Sequence, residues 1–232
     1  MKTLGMLGGM SYESTTVYYD LINKFVNQAL GFSHSAKILM VSFDYQELEI
    51  LLEKSAWKEL TIKMIDQGLK LKSIGADGLI LCANTMHIIA EDVQKSVGLP
   101  LIHIAKETLH EAKIRGYKKV GLLGTRYTMT SSIYDQEDIE VIKPTDQEMT
   151  VIHEIIYQEL IVGKYLSSSL EKAKTVIKHL KERGAEAIVL GCTELPLLIK
   201  PEDIDLPILN TLYIHARAAA NFVVSNVINH ER

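Results

Sequence analysis

An internal repeat constrains the fold of this chain more than any other feature. Lys2-Thr3-Leu4-Gly5-Met6-Leu7-Gly8-Gly9 recurs as Lys118-Lys119-Val120-Gly121-Leu122-Leu123-Gly124-Thr125, a shift of 116 positions. Leu99-Pro100-Leu101-Ile102-His103-Ile104 recurs as Leu206-Pro207-Ile208-Leu209-Asn210-Thr211, a shift of 107. Between them, Gly75-Ala76-Asp77-Gly78-Leu79-Ile80-Leu81-Cys82 is echoed by Gly184-Ala185-Glu186-Ala187-Ile188-Val189-Leu190-Gly191-Cys192, and the cysteines are 110 apart. A turn of glycine, alanine and an acid before an apolar strand is common grammar and means little once. Three matches in one order and at nearly one offset imply two copies of an α/β unit.

Apolar runs of strand length alternate with helical periodicity throughout, the pattern of parallel sheets flanked by helices. In the first half the pattern predicts strands at Thr3–Leu7, Lys37–Phe43, Gly78–Leu81 and Leu99–Ile104. Helices are expected near Tyr12–Ala29 and Trp57–Ile74, opening near Thr85, and near Lys106–Arg115. In the second half it predicts strands at Lys119–Leu123, Ile139–Lys143, Ala187–Leu190 and Ile208–Asn210. Helices are expected near Asp146–Ile161, Leu170–Arg183 and Leu212–Asn229. The expected architecture is α/β, with two pseudo-symmetric lobes, each a parallel sheet flanked by helices, and an active site in the cleft between them. Residues 1–100 with 209–232 form lobe one, which contributes Cys82; residues 101–208 form lobe two, which contributes Cys192.

Composition narrows the function classes. A chain of 232 residues with 47% hydrophobic and 23% charged residues is an ordinary globular protein. A net charge of −4 is too mild to mark a nucleic-acid or acidic-membrane partner. No apolar run reaches the ~20 residues of a transmembrane helix, and Met1 to Gly9 reads as a first strand rather than a leader. The two cysteines are therefore expected to be reduced, in a cytoplasm. A structural disulfide is unneeded in a chain that can build its own core. Cys82-x-x-x-x-His87 has no matching ligands near Cys192, so no metal is expected.

Ligands of parallel α/β sheets bind outside the carboxyl ends of the strands. Four motifs fall there: Gly8-Gly9-Met10-Ser11, Cys82-Ala83-Asn84-Thr85, Gly124-Thr125-Arg126-Tyr127 and Gly191-Cys192-Thr193-Glu194. A helix N-terminus is expected after each cysteine, where free N–H groups favour a thiolate and hold a carboxylate. One thiolate can remove a proton from carbon while a thiol opposite returns one to the other face, which inverts the stereocentre. A lone cysteine would suggest a covalent nucleophile; a duplicated pair argues for two-base proton transfer. Gly5-x-x-Gly8-Gly9 does not fit the dinucleotide fingerprint.

These motifs carry a resemblance. Gly5-Met6-Leu7-Gly8-Gly9-Met10-Ser11-Tyr12-Glu13-Ser14-Thr15, Cys82-Ala83-Asn84-Thr85-Met86-His87, Leu123-Gly124-Thr125-Arg126-Tyr127-Thr128-Met129 and Gly191-Cys192-Thr193-Glu194-Leu195 together resemble the aspartate/glutamate racemase family, nearly end to end. The resemblance implies a cofactor-independent amino-acid racemase that works as a homodimer, with Cys82 and Cys192 as the acid/base pair. Gly8, Gly9, Met10, Asn84, Thr85 and Thr193 would hold the substrate's carboxylate and amine. Thr125 and Glu194 are read as caps that also touch substrate. The chain departs from the family where the side chain is read: Tyr45 to Leu52 holds no basic residue and only Gln46 as an amide. That leaves Lys164, with Arg126 second, to pair a side-chain carboxylate. His87, His103 and His215 have the chemistry of helper bases but are read as structural.

The expected substrate is aspartate or glutamate. The alternatives are a racemase of neutral or broad amino-acid range, a carboxylic-acid isomerase or decarboxylase using one cysteine, and a non-catalytic module that closes on a small ligand.

Overall fold

The computed structural model describes residues 1–135 and 138–228. The expected helix end at Asn229 and the remainder of the C-terminus lie outside the described residues. By its internal contacts the chain forms two units, Met1–His103 together with the segment from His215, and Ile104–Ile214. Both are α/β units with parallel sheets.

In the first unit, β1 (Thr3–Gly8) lies between β2 (Lys37–Ser42) and β3 (Gly78–Leu81), all parallel. Leu4, Met6 and Leu7 of β1 and every residue of β3 are buried, as expected where helices cover both faces. The edge strand β2 alternates between partial burial and exposure. The helices are α1 (Tyr12–Leu30), α2 (Tyr45–Glu53), α3 (Trp57–Ser73) and α4 (Ala90–Val97), the last entered through a 3₁₀ turn, Thr85–Ile89. Each takes its inward face from helical spacing: Tyr18, Ile22 and Val26 on α1, and Leu60, Met64 and Leu71 on α3, are buried. Burying such side chains is worth about 1.5–3 kcal/mol each.

The second unit opens with α5 (Ile104–Ile114). Its sheet has the order β5-β4-β6-β7, all parallel, from β4 (Lys119–Gly124), β5 (Glu140–Ile142), β6 (Ala187–Gly191) and β7 (Ile208–Asn210). Its other helices are α6 (Arg126–Thr130), α7 (Asp146–Glu154), which continues as a π turn at Ile155–Leu160, α8 (Ser167–Glu182) and α9 (Leu195–Leu198). Helix α10 (Thr211–Ile228) carries the chain back into the first unit.

The repeat is visible in hydrogen bonds. The Asp77 N–H donates to Thr3 O at 2.8 Å, and the Glu186 N–H to Lys119 O at 2.9 Å. In return, the Asp77 carboxylate accepts from the Thr3 N–H at 2.7 Å, and Glu186 accepts from the N–H groups of Lys118 and Lys119 at 2.5 and 3.0 Å. Packing repeats too. A Cβ on Gly5 would lie 2.7 Å from Leu79, and one on Gly121 would lie 2.8 Å from Ile188. The acid and the glycine of the repeated motifs therefore have structural roles in both units.

Several expectations need correction. Leu99–Ile104 is not a strand: Leu101 alone bridges Leu79 of β3, because Pro100 has no N–H to donate and the chain turns into α5 at Ile104. The segment after β2 forms α2, capped by Asp44, whose carboxylate accepts the Gln46 N–H, with Leu48 and Leu52 buried one turn apart. The helix expected over Asp146–Ile161 changes to a π turn at Ile155. Leu101 belongs with β3 in the first unit, and β7 pairs with β6 in the second. Among the described residues, no helix is long and apolar enough to cross a membrane.

Candidate active site

In the first unit the candidate residues collect at the carboxyl ends of β1 and β3. Gly9 has φ +84°, and a Cβ there would sit 2.3 Å from Phe43 O, so the backbone after β1 passes against the end of β2 with no room for a side chain. Thr15, on the first turn of α1, holds this loop: its hydroxyl accepts from the Gly9 N–H and donates to Ser11 O, both at 2.8 Å. The Met10 side chain is buried, and the Met10–Ser11 peptide is cis. Ser11 caps α1, accepting from the Ser14 N–H. Thr15 is thus a supporting residue to which the sequence motif alone assigns no role.

Cys82 comes directly after β3 and donates its backbone N–H to Leu7 O at 2.9 Å. Its side chain is fully buried, and burial pushes the thiol far above its ordinary range. Asn84 and Thr85 are buried beside it in sequence. Asn84 makes no capping bond with its side chain, which counts against the reading of a simple cap.

In the second unit, Thr125, Cys192, Thr193 and Glu194 stand at the carboxyl ends of β4 and β6. Thr125 caps α6, accepting from the Thr128 N–H at 3.2 Å. The Cys192 thiol donates to Glu194 Oε2 at 3.0 Å, and the Thr193 hydroxyl donates to the same oxygen at 2.8 Å. The thiol is raised well above its usual value by burial first, then by the charge of Glu194 and the bond to it; the N–H groups of Glu194 and Leu195 oppose the shift. Glu194 does not cap α9 with its side chain.

The expected thiolate-favouring helix ends are therefore corrected. Cys82 leads into a single short 3₁₀ segment, and Cys192 leads into a helix of four residues. Desolvation outweighs the donors such short elements offer, so both resting cysteines are thiols. Both are free. Their positions also differ by one step. Leu7 pairs Leu81, directly before Cys82, whereas Gly124 pairs Gly191, directly before Cys192. Relative to the first strand of its sheet, Cys192 lies one residue further out.

Lys164 is exposed directly after the turn at 161–163, and its backbone N–H donates to Glu159 O. Arg126 is engaged with α7: its guanidinium donates to Thr150 Oγ1 at 2.5 Å and Asp146 O at 3.3 Å. The structure brings together what the sequence scatters in one further place: His87, His103 and His215 form a ring cluster in the first unit, with His87 centroids 4.7 Å from His103 and 5.4 Å from His215. Among the described residues, no group of three or more histidine, cysteine or carboxylate side chains is arranged to hold a metal ion.

Comparison with known proteins gives this geometry a context. A family model described as Asp/Glu/Hydantoin racemase matches residues 7–219. A broad specificity amino-acid racemase of Bacillus subtilis is 26% identical over 223 residues, 90% of this chain and 92% of that protein. Among solved structures, a Yersinia pestis protein provisionally described as an Asp/Glu racemase is 42% identical with a TM-score of 0.91, covering 97% of this chain and all of that one. An aspartate racemase homologue from Pyrococcus horikoshii is 30% identical with a TM-score of 0.82, covering 96% of this chain and 99% of that one.

Proposed function

Because the chain belongs to the Asp/Glu/hydantoin racemase family, we propose that it interconverts the two hands of an amino acid by passing the α-proton between Cys82 and Cys192. The observation that supports this most is the duplication itself. In each unit the strand beside the first strand is followed at once by a free, buried cysteine, with a polar pair one or two residues on, Asn84-Thr85 in one and Thr193-Glu194 in the other.

In the resting protein both sulfurs hold protons, and the reaction needs one thiolate. Glu194 is placed to supply it: its carboxylate already accepts the Cys192 S–H, and transfer leaves a Cys192 thiolate and a neutral Glu194. Thr193, donating to the same oxygen, orients the acceptor. The thiolate then takes the α-proton, and the Cys82 thiol delivers a proton to the opposite face. The sulfurs have exchanged states, and the reverse direction uses them in the opposite roles. The planar intermediate carries its charge on the α-carboxylate. Met10, Asn84, Thr85 and Thr125 supply the polar groups assigned to hold it, while Gly9, whose N–H is bound to Thr15, shapes the loop that presents them; donors fixed before charge develops are the most effective kind. The residues in this scheme act without a cofactor.

The substrate read from the family is aspartate or glutamate. A neutral or broad range is favoured by one specific observation: α2 brings no cation, Arg126 is bound to α7, and Lys164 is exposed after a turn. A carboxylate enclosed without a cation is strongly unfavourable. We read the working assembly as a homodimer in a reducing cytoplasm, which sedimentation and fractionation check.

Exchange of the α-proton in deuterated water, across a panel of L-amino acids with chiral separation of products, tests the reading. Exchange with inversion supports it. A changed carbon skeleton points to an isomerase or decarboxylase, and silence on every substrate points to a binding module.

A further inference from the structure

We propose that His87 is a positioning residue for Cys82, holding the peptide just after the thiol through a cluster of three histidines, of which His87 and His215 are buried and His103 is half-buried. This rests on the reading of Cys82 as an acid/base group.

The ring of His87 is 2% exposed, and its Nδ1 lies 2.8 Å from Ala83 O. A carbonyl only accepts, so Nδ1 carries the proton and donates to the residue directly after Cys82. The Cys82-Ala83-Asn84 turn is thus tied at its centre by a side chain one turn further on. His103 and His215 hold the ring from two sides at T-shaped angles of 64° and 74°. His215 is itself fixed at both nitrogens. Its Nε2 donates to Ile102 O at 2.7 Å, and its Nδ1 accepts from the Tyr18 hydroxyl at 2.9 Å. The chain leaves the first unit at His103 and re-enters it at His215. The cluster therefore joins the turn that carries Cys82 to α1, to α10 and to both of those crossings.

Packing alone does not account for a histidine at 87. Its Nε2 is buried and makes no hydrogen bond among the described residues. Such an atom is costly, and an apolar side chain would fill the space without it. The bond from Nδ1 to Ala83 is what the histidine adds. The titratable groups acting on His87 among the described residues are His103 and His215, with Tyr18 behind His215 and no carboxylate among them; burial and the two imidazoles outweigh the nearby carbonyls of Ala83 and Ile102 and keep the ring neutral.

The test measures iodoacetamide alkylation of Cys82, with Cys192 as internal reference, by peptide mass spectrometry alongside racemisation kinetics. In His87→Ala the loosened turn should expose the buried thiol, speeding Cys82 alkylation at least roughly tenfold while Cys192 is unchanged. The same variant should lower kcat at least roughly tenfold with little change in KM. His87→Asn, whose amide donates from about the place of Nδ1, should recover most of both effects; His87→Gln, whose amide reaches too far, should not. Alkylation and kcat within about twofold of the parent in His87→Ala overturn the proposal. If that variant does not fold, equal behaviour of the Asn and Gln variants overturns it instead. Cys82→Ala separates the two claims: if it still racemises, Cys82 is not the acid/base group, while the alkylation result still reports on His87.

Discussion

The Cys192 thiol donates to Glu194 Oε2 across 3.0 Å, which makes the carboxylate both the brake on ionisation and the nearest acceptor for the proton. After burial, its charge and its bond hold the thiol up, and the same oxygen receives the proton when the sulfur must act. Substitution separates the two effects. In Glu194→Gln the thiol should ionise at lower pH, so Cys192 alkylation measured from pH 7 to 10 should speed up, while kcat falls by roughly 10²-fold for loss of an acid/base partner. Slower alkylation together with unchanged kcat would remove Glu194 from the scheme.

Either half of the pair should be indispensable. Cys82→Ala and Cys192→Ala are each expected to lower racemisation by at least ~10⁴-fold, the upper end for acid/base catalysis, because one face of the α-carbon loses its proton donor or acceptor. The serine variants should retain slow exchange from one hand. Chiral chromatography with deuterium incorporation reads both, and a single alanine variant racemising near the parent rate contradicts two-base transfer.

Specificity divides on Lys164. If it pairs an acidic side chain, a charge-assisted bond of about 1.5–3 kcal/mol is lost in Lys164→Met, and KM for aspartate should rise roughly ten- to a hundredfold. If the range is neutral or broad, the substitution is silent and aspartate is no better than uncharged residues of similar size. Competition between aspartate and neutral amino acids in one assay decides.

Acid should weaken the first unit through its histidines. Burial lowers His215 from 6.5 to about 4 and lowers His87 well below its usual value. The unfolded chain therefore binds protons at a pH where the folded one does not. Stability from His215 is complete above about pH 6.5, falls as pH drops toward 4, and levels below that, and His87 adds a loss of the same sign. For His215 alone the full difference is ~3 kcal/mol. Urea midpoints at pH 7, 5.5 and 4.5 should descend, with a shallower slope in His215→Gln. A slope equal to the parent's would assign the loss to other groups.

The repeated glycines make a stability prediction. A Cβ at Gly121 would meet Ile188 at 2.8 Å and Leu180 at 3.0 Å, so Gly121→Ala should destabilise by about 1–3 kcal/mol of overpacking. Gly31, with φ +73° and open space around it, provides a control whose loss would come from backbone strain alone. Chemical denaturation of both variants separates crowding from strain.

Much of this was legible in the chain as written. Gly5 and Gly121, Asp77 and Glu186, and the two cysteines repeat because each parallel α/β unit needs the same close approach of strands, the same anchored turn and the same polar strand end. Those are local demands, met by residues near one another in sequence or at a fixed offset, so they leave a readable pattern. The protonation of the thiols was not legible, because it depends on how completely Cys82 and Cys192 are withdrawn from water and on where Glu194 points. Nor was the one-residue offset of Cys192, which is a property of strand register. His87, His103 and His215 look like three unrelated histidines until α10 returns to the first unit and lays the last of them against the others. Spacing along the chain reports repeating geometry, whereas burial and long-range contact arise only when distant segments exclude water together, and in this protein those decide the state of the cysteines.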